Sequence, residues 1–278
     1  MNHQPIYQLN DLIKGKVISR PSKHCKTPYV ADVLLYNEKN EPLEEVIAHA
    51  PSLGCCGYAD KEQYVYLVEH ENPKTCSHVI HLAHREEKNQ QYLIGIHPKS
   101  AEKIVKICLE TSLIQGLKNL KEIKAEQCFL NSRFDFCGID ENDKKFILEV
   151  KNVPCADYED IFAKERKKRN YDSWAYDSKI AYFPDGYRKK NTDVVSPRAL
   201  KHIQELEQLK RENDELRTII VFVIQRSDIL HFQGSNLDPI YKEALNKAYK
   251  TGVEIIPIQV HWDYQGNCHY NKIIPFKF

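Results

Sequence analysis

The 278-residue chain has almost no net charge and no apolar stretch long enough to cross a membrane. Its 40 Lys and Arg residues balance 39 Asp and Glu residues, so overall charge does not mark a nucleic-acid-binding protein and any basic surface must be local. The longest strongly apolar run, 219–224, is far too short to span a bilayer, and we interpret it as a buried strand. The polar amino terminus leads us to expect a cytoplasmic protein without a secretion signal.

The nine cysteines follow no ligand or disulfide pattern. Cys55 and Cys56 form the only close pair, and no Cys-x-x-Cys spacing occurs. Four other metal-capable side chains are closely spaced: Cys76, His78, His81 and His84. Without paired thiols these four residues make a weak zinc motif. We therefore expect reduced thiols, as in an intracellular protein. The chain has no internal repeat and no low-complexity segment.

Two segments, 131–136 and 146–151, carry the residues with the clearest chemistry. In the second segment Phe, Leu and Val alternate with other residues, a period-two pattern that predicts a half-buried strand. This alternation places Glu149 and Lys151 on one face. A short polar turn separates the two segments, which therefore should pair as a hairpin and bring Asp135 close to Glu149.

Two carboxylates and one ammonium suit metal-assisted hydrolysis of a phosphodiester. Mg²⁺ prefers carboxylate oxygens together with retained waters, and a bound water is a better nucleophile. Lys151 would stabilise the negative charge that develops on the phosphate. Taken alone, the same pattern also fits the solvent-exposed face of an ordinary amphipathic strand, so the bare spacing leaves both interpretations open.

The first third of the chain is a series of short β-prone stretches separated by turn residues. They lie at 16–20, 30–36, 45–49, 64–68 and 92–96. Five such strands predict a small barrel. Pro98 and Ser100 then open a helix that links this barrel to the rest of the chain.

The remainder of the chain combines strands with helices. Strands are predicted near 123–129, 133–139, 146–153, 218–225 and 253–258. One helix begins with Ser196 as N-cap and Pro197 in its first turn, and another begins at Asp238 and Pro239. Strands followed by alternating helices and strands predict a mixed sheet flanked by helices.

Seven short motifs follow one another along the chain. They lie at 48–54, 132–136 (Ser-Arg-Phe-Asp-Phe), 147–153 (Ile-Leu-Glu-Val-Lys-Asn-Val), 182–185, 201–206, 236–241 and 252–255. In this order they resemble the sugar fermentation stimulation protein A (SfsA) family over nearly the whole chain. Several ordered motifs are far more specific than any one of them.

The resemblance implies an α/β (α+β) fold in two domains. Residues 1–97 would form an OB-like β-barrel that binds nucleic acid. Residues 98–278 would form a PD-(D/E)xK nuclease-like mixed sheet flanked by helices. The resemblance also implies DNA binding and Mg²⁺ or Mn²⁺ as the cofactor.

The resemblance further assigns site residues position by position. Asp135, Glu149 and Lys151 fall on the catalytic positions, and Asp135, Glu149 and the backbone carbonyl of Val150 fall on the metal-binding positions. Glu126 falls on an upstream acidic position of the family. It is interpreted either as a further ligand or orienting group, or as an exposed strand carboxylate.

Three features depart from the family pattern. Ser52 stands where the family has Asn, and Ala199 follows Arg198 where the family has Gly. An insertion between Val153 and Phe183 contains a basic run. Nuclease competence is therefore inferred for a diverged member.

The basic run of the insertion is one candidate nucleic-acid-binding surface. It consists of Arg166, Lys167, Lys168 and Arg169. Aromatic residues follow it, and cations beside aromatic rings suit contact with a nucleic-acid backbone and stacking on bases. A charge run is also typical of a solvated loop, and this alternative stays open.

Arg133 and three residues of the predicted helix form a second group of candidates. The helical residues are Arg198, Lys201 and His202, whose spacing brings them together on the helix surface. They would present cations to the scissile phosphate. His202 also borders the apolar side of the helix, so a half-buried histidine with a satisfied ring is the alternative interpretation.

The leading hypothesis is a DNA-binding protein with a divalent-metal-dependent nuclease site. One alternative is a DNA-binding regulator on the same fold that cleaves nothing, and another is an RNA-processing accessory protein. The expected partner is nucleic acid, DNA rather than RNA, with no membrane contact. The oligomeric state, the strandedness of the substrate and any sequence preference stay open.

Overall fold

The computed structural model describes residues 4–51, 57–184 and 193–278. Seven strands precede the first helix: β1 (Tyr7–Gln8), β2 (Ile13–Ser19), β3 (Val30–Tyr36), β4 (Pro42–His49), β5 (Tyr64–Glu69), β6 (His78–Glu87) and β7 (Gln90–Gly95). One helix and three strands follow: α1 (Pro98–Glu110), β8 (Glu122–Phe129), β9 (Ser132–Ile139) and β10 (Lys145–Asn152). The remaining elements are β11 (Ala156–Asp157), α2 (Ala163–Arg166), β12 (Lys179–Phe183), α3 (Pro197–Glu212), β13 (Arg217–Ile224), β14 (Ile229–Gly234), α4 (Pro239–Thr251), β15 (Glu254–Trp262), β16 (Asn267–Ile273) and β17 (Phe276–Lys277).

Strands β2 to β7 form the expected OB-like barrel. Their order is β4-β3-β2-β5-β6-β7, and parallel pairing of His49 in β4 with Val79 in β6 closes the ring. Buried side chains such as Val33, Leu67 and Ile80 fill the interior. Strand β6 was not predicted from the sequence, because its histidines and charged residues obscure the apolar alternation.

A seven-stranded sheet combines β1 with strands from the second half of the chain. Its order is β1-β16-β15-β13-β10-β9-β8. Strands β10, β13 and β15 run parallel, and the outer strands pair antiparallel. This mixed sheet confirms the predicted fold class. A further small sheet, β11-β12-β14-β17, was missed because its strands are short.

Strand β10 is an interior strand of the large sheet, next to the central β13, and is covered by helices on both faces. Phe146 and Leu148 pack with apolar residues of α1, whereas Ile147 packs with α3 and α4. The prediction of a half-buried strand was therefore wrong, because a strand in the middle of a three-layer arrangement exposes neither face. Glu149 belongs to this buried strand.

The starts of α3 and α4 agree with the sequence analysis. The side chain of Ser196 accepts a hydrogen bond of 3.3 Å from the backbone N–H of Ala199. The carboxylate of Asp238 accepts one of 3.1 Å from the N–H of Tyr241. The Ser196 cap fixes the first turns of α3 above β10. Among the residues that the structure describes, no helix is both long and apolar enough to cross a membrane.

Candidate active site

The site forms where two paired strands separate. Strands β9 and β10 pair as far as Leu148, which lies opposite Phe136, and then diverge. The carboxylate of Asp135 occupies the gap, where its Oδ2 accepts a hydrogen bond of 2.7 Å from the backbone N–H of Val150. The expected hairpin is thus observed, and it brings Asp135 beside the segment that carries Glu149.

Glu149 is 2% exposed, and the buried His202 and the partly exposed Lys151 contact the same carboxylate oxygen. Nδ1 of His202 lies 2.5 Å from Oε1 of Glu149, and Nζ of Lys151 donates a hydrogen bond to that oxygen. The other oxygen, Oε2, is buried without a hydrogen-bond partner in the described part of the chain. A buried carboxylate oxygen without a donor is costly, so this atom calls for a ligand.

The two carboxyl groups have opposite pKa shifts. Burial and the negative charge of Glu149 raise the pKa of Asp135 to about 7. Burial also favours the neutral form of Glu149, but hydrogen bonds and charge from His202 and Lys151 outweigh it and lower the pKa of Glu149. In the absence of a cation the site therefore holds one carboxylate that is ionised at neutral pH and one that titrates close to neutral pH.

A cleft of about 300 Å³ opens above these groups and also contains Glu102 of α1. Glu102 adds to the negative charge that raises the pKa of Asp135, and it pairs with Lys99 at 2.7 Å. The sequence analysis did not select Glu102. The available signal was weak: a carboxylate three residues before the buried Val105, on the helix that was expected only to link the barrel to the rest of the chain.

The donor set fits a hard divalent cation. Asp135, Glu149 and Val150 line one cleft, and they offer carboxylate oxygens and a backbone carbonyl. The unpartnered Oε2 of Glu149 and the raised pKa of Asp135 are both relieved by a bound positive charge. The described residues contain no group of three or more His, Cys, Asp or Glu side chains arranged to hold a metal, so waters would complete the coordination.

The other predicted residues around this cleft occupy different positions. Arg198 is exposed and lines the cleft. Lys201 donates a hydrogen bond of 2.6 Å to the carbonyl of Asn131. Glu126 and Arg133 are exposed, face each other at 3.5 Å and do not line the cleft. His202 is buried against Glu149, so the structure matches the alternative interpretation of a buried, partnered histidine.

The basic run of the insertion lies away from the carboxylates. Arg166 pairs with Asp157 at 3.1 Å, while Lys167, Lys168 and Arg169 are exposed. None of these four residues lines the carboxylate cleft. The motif residue Ser52, the pair Cys55 and Cys56, and Asp185 of the 182–185 motif lie outside the described residues.

Sequence comparisons establish the family. A family model described as the sugar fermentation stimulation protein RE domain matches residues 99–164 and 173–266. A sugar fermentation stimulation protein homolog of Clostridium novyi is 31% identical over 251 residues, which cover 89% of this chain and 90% of the relative. A homolog of Crocosphaera subtropica is 29% identical over the full length of both chains. The chain belongs to the SfsA family.

A solved relative shares the fold. The structure described as Pyrococcus furiosus SfsA in complex with Ca²⁺ has a TM-score of 0.73 and 19% sequence identity, and the match covers 99% of this chain and 100% of that chain. The family model skips residues 165–172, which coincide with the basic run assigned to an insertion in the sequence analysis.

Proposed function

We propose that this protein is a divalent-metal-dependent nuclease that hydrolyses phosphodiester bonds in nucleic acid, with DNA favoured over RNA. The observation that carries the proposal is the unpartnered, buried Oε2 of Glu149 next to Asp135. Perturbed carboxyl groups in a cleft are typical of catalytic sites. The Ca²⁺ complex of the Pyrococcus furiosus relative supports a divalent cation here.

Asp135, Glu149 and the backbone carbonyl of Val150 would hold Mg²⁺ or Mn²⁺. When bound, such a cation lowers the pKa of a coordinated water and offsets the negative charge of the phosphate. Two carboxylates and few protein ligands suit Mg²⁺, which usually retains several waters and binds substrate phosphate. Glu102 would contribute negative charge at the rim of the same cleft.

Lys151 would stabilise charge on the phosphate, whereas His202 would orient Glu149. Lys151 borders the cleft, and its ammonium would stabilise charge that develops on a phosphate oxygen in the transition state. An ionised carboxylate only accepts hydrogen bonds, so Nδ1 of His202 donates to Oε1 of Glu149. This bond would fix the carboxylate plane of Glu149 and leave Oε2 available to a cation.

Several cations would position the nucleic acid around this centre. Arg198 forms no ion pair within the described residues, and it is the exposed cation at the cleft. Arg133, Lys201 and the basic run, Arg166 to Arg169, would contact backbone phosphates farther along. Phosphate contacts of this kind fix the register of the substrate without reading its sequence.

We also propose that the chain divides into an OB-like domain, 1–97, and a nuclease-like domain, 98–278, with β1 of the first segment pairing with β16 in the large sheet of the second. The barrel strands end at Gly95 and α1 begins at Pro98, which supports a boundary between them. The two units are in contact, because the N–H of Gly95 donates a 2.9 Å hydrogen bond to the carbonyl of Gln225.

A cleavage survey tests the proposal. Purified protein is incubated with labelled duplex DNA, single-stranded DNA and RNA in Mg²⁺, Mn²⁺, Ca²⁺ or EDTA, with Glu149→Gln prepared in parallel. Cleavage that needs Mg²⁺ or Mn²⁺ and disappears in Glu149→Gln supports the nuclease. Tight binding with no cleavage under any condition would favour the DNA-binding regulator.

A further inference from the structure

A second cleft of about 900 Å³ lies between the barrel and the second half of the chain. Tyr58 and Tyr92 line it from the barrel side, and Tyr158 and Tyr171 line it from the opposite side. Its volume falls within the range of small-ligand sites, roughly 300–1,000 Å³. The catalytic assignments above do not use this cleft.

The lining carries an excess of positive charge. Seven Lys and Arg side chains and four Asp and Glu side chains contribute to it. Arg85 and Lys167 form no ion pair with any described residue, whereas Arg166 and Lys179 are paired with carboxylates. The unpaired cations favour an anionic ligand.

Aromatic side chains stand beside these cations. The guanidinium of Arg85 lies 5.0 Å from the centre of the Tyr58 ring. Tyr171 stacks on Tyr158 with ring centres 5.2 Å apart, and the Tyr171 hydroxyl donates a 2.7 Å hydrogen bond to Glu159. Cations next to aromatic surfaces suit a ligand with both a phosphate and a planar ring, such as a nucleotide.

The segment that the family model skips builds much of this wall. Lys167, Arg169 and Tyr171 all belong to residues 165–172 and all line the cleft. Lys88, in the turn after β6, holds the segment in place by donating a 2.6 Å hydrogen bond to the carbonyl of Tyr171. Lys164, three residues before Lys167, is also exposed but does not line the cleft.

The two clefts adjoin along one stretch of chain. Val153 and Cys155 line the carboxylate cleft, and the next residues, Ala156 to Tyr158, line the aromatic cleft. A single strand of nucleic acid that passes the carboxylates would therefore reach the aromatic cleft within a few nucleotides. A duplex keeps the faces of its bases covered by stacking, so the tyrosines suit an unpaired base.

We propose that the aromatic cleft binds one unpaired nucleotide, with its phosphate at Arg85 and Lys167 and its base against Tyr171, the partly exposed ring of the four tyrosines. This inference rests on the proposed function in one respect: it assigns the nuclease a substrate that is single-stranded next to the scissile phosphate. Residues 165–172, which lie outside the matched ranges of the family model, build part of this subsite.

Equilibrium binding of a short labelled oligothymidylate tests the subsite. Fluorescence anisotropy is measured with the Asp135→Asn protein in EDTA, which separates binding from cleavage. Lys167→Glu should weaken binding about tenfold and lower the slope of log affinity against log salt by about 0.7, the value for one phosphate contact on a single strand. Lys164→Glu makes the same charge change outside the cleft and should have a much smaller effect.

The aromatic wall is tested with two substitutions of one residue. Tyr171→Leu should weaken oligothymidylate binding about tenfold or more, as loss of a stacking ring does. Tyr171→Phe retains the ring and should restore most of the affinity, which separates stacking from the hydrogen bond to Glu159. Circular dichroism verifies that both variants fold.

Competition identifies the source of the nucleotide. If the strand is the ligand, thymidine monophosphate displaces the oligothymidylate only at far higher concentration than unlabelled oligothymidylate does. Displacement by thymidine monophosphate at the same concentration as unlabelled oligothymidylate would contradict binding of a strand and would indicate a site for a free nucleotide. Equal losses in Lys167→Glu and Lys164→Glu would overturn the subsite altogether, even if wild-type protein cleaves DNA. If only Lys167→Glu weakens oligothymidylate binding and wild-type protein cleaves nothing, the subsite is supported and the nuclease proposal is contradicted.

Discussion

Nδ1 of His202 lies 2.5 Å from Oε1 of Glu149, and the two side chains are only 4% and 3% exposed. The same oxygen also accepts from Lys151. One carboxylate oxygen is thus held by the protein on two sides, while Oε2 has no described partner. Such an arrangement orients a ligand before the cation arrives.

We predict that His202→Leu reduces Mg²⁺ affinity and cleavage by roughly 10- to 100-fold, the usual effect of losing a group that orients a metal ligand. His202→Asn should lose less, because an amide N–H can replace Nδ1 near Oε1 of Glu149. Calorimetric titration with Mg²⁺ compares the variants. Equal metal affinity in wild type and His202→Leu would contradict the orienting role.

The raised pKa of Asp135 predicts pH-dependent stability of the metal-free protein. Asp135 titrates at about 7 when folded and near its ordinary value when unfolded, so it favours the folded state below about pH 4. That contribution is lost as pH rises through 7. At pH 8 Asp135→Asn should therefore melt at a higher temperature than wild type, by on the order of 3 °C for each kcal/mol of unfolding free energy gained. At pH 5 the difference in melting temperature should be much smaller.

As a metal control, the melting temperatures are measured both in EDTA and in excess Mg²⁺. Mg²⁺ should raise the melting temperature of wild type at pH 8 by binding the folded state, and should leave Asp135→Asn unchanged. A wild type that is more stable than Asp135→Asn at pH 8 without metal would show that ionised Asp135 is not under electrostatic strain.

Lys151→Ala should slow cleavage about 10²- to 10³-fold, on the order of 3 kcal/mol, because a charge aimed at the transition state is lost. Lys151→Arg should restore little, since the planar guanidinium differs in shape from a compact ammonium. Single-turnover rates at saturating Mg²⁺ measure the effect. A normal rate accompanied by weak Mg²⁺ binding would instead assign Lys151 to the organisation of the metal site.

Arg198→Ala should weaken substrate binding by removing the exposed cation at the carboxylate cleft. Arg211→Ala is the matched control, because Arg211 lies near the end of the same helix and pairs with Glu207 at 3.3 Å. We expect the slope of log affinity against log salt to fall only in Arg198→Ala. The same slope change in both variants would indicate a general charge effect.

The barrel, the hairpin and the helix starts were predictable because local sequence signals control them. Ser196 and Asp238 cap helices as their positions before proline indicate, and the segments around Asp135 and Glu149 pair across a polar turn. The burial of β10 was not predictable, since its covering helix α3 begins about 45 residues later. Periodicity within a strand does not reveal what packs on its second face.

The same limit applies to the site. The Asp-Glu-x-Lys pattern identified Asp135, Glu149 and Lys151, but Glu102 enters the cleft from α1, which precedes the motif. The contact between His202 and Glu149 joins residues 53 positions apart. Such contacts depend on the crossing of helices over the sheet, which spacing in the sequence does not encode.

The most direct test of the central claim is the single-turnover cleavage rate as a function of Mg²⁺ concentration, compared between wild type and Asp135→Asn prepared in the same way. Asp135→Asn keeps the shape of the side chain and its hydrogen bond from Val150, but removes one anionic ligand. The account predicts a saturable, Mg²⁺-dependent rate in wild type and only background cleavage in Asp135→Asn. Equal rates in both proteins, or wild-type cleavage that persists in EDTA, would contradict a metal-dependent nuclease site at Asp135 and Glu149.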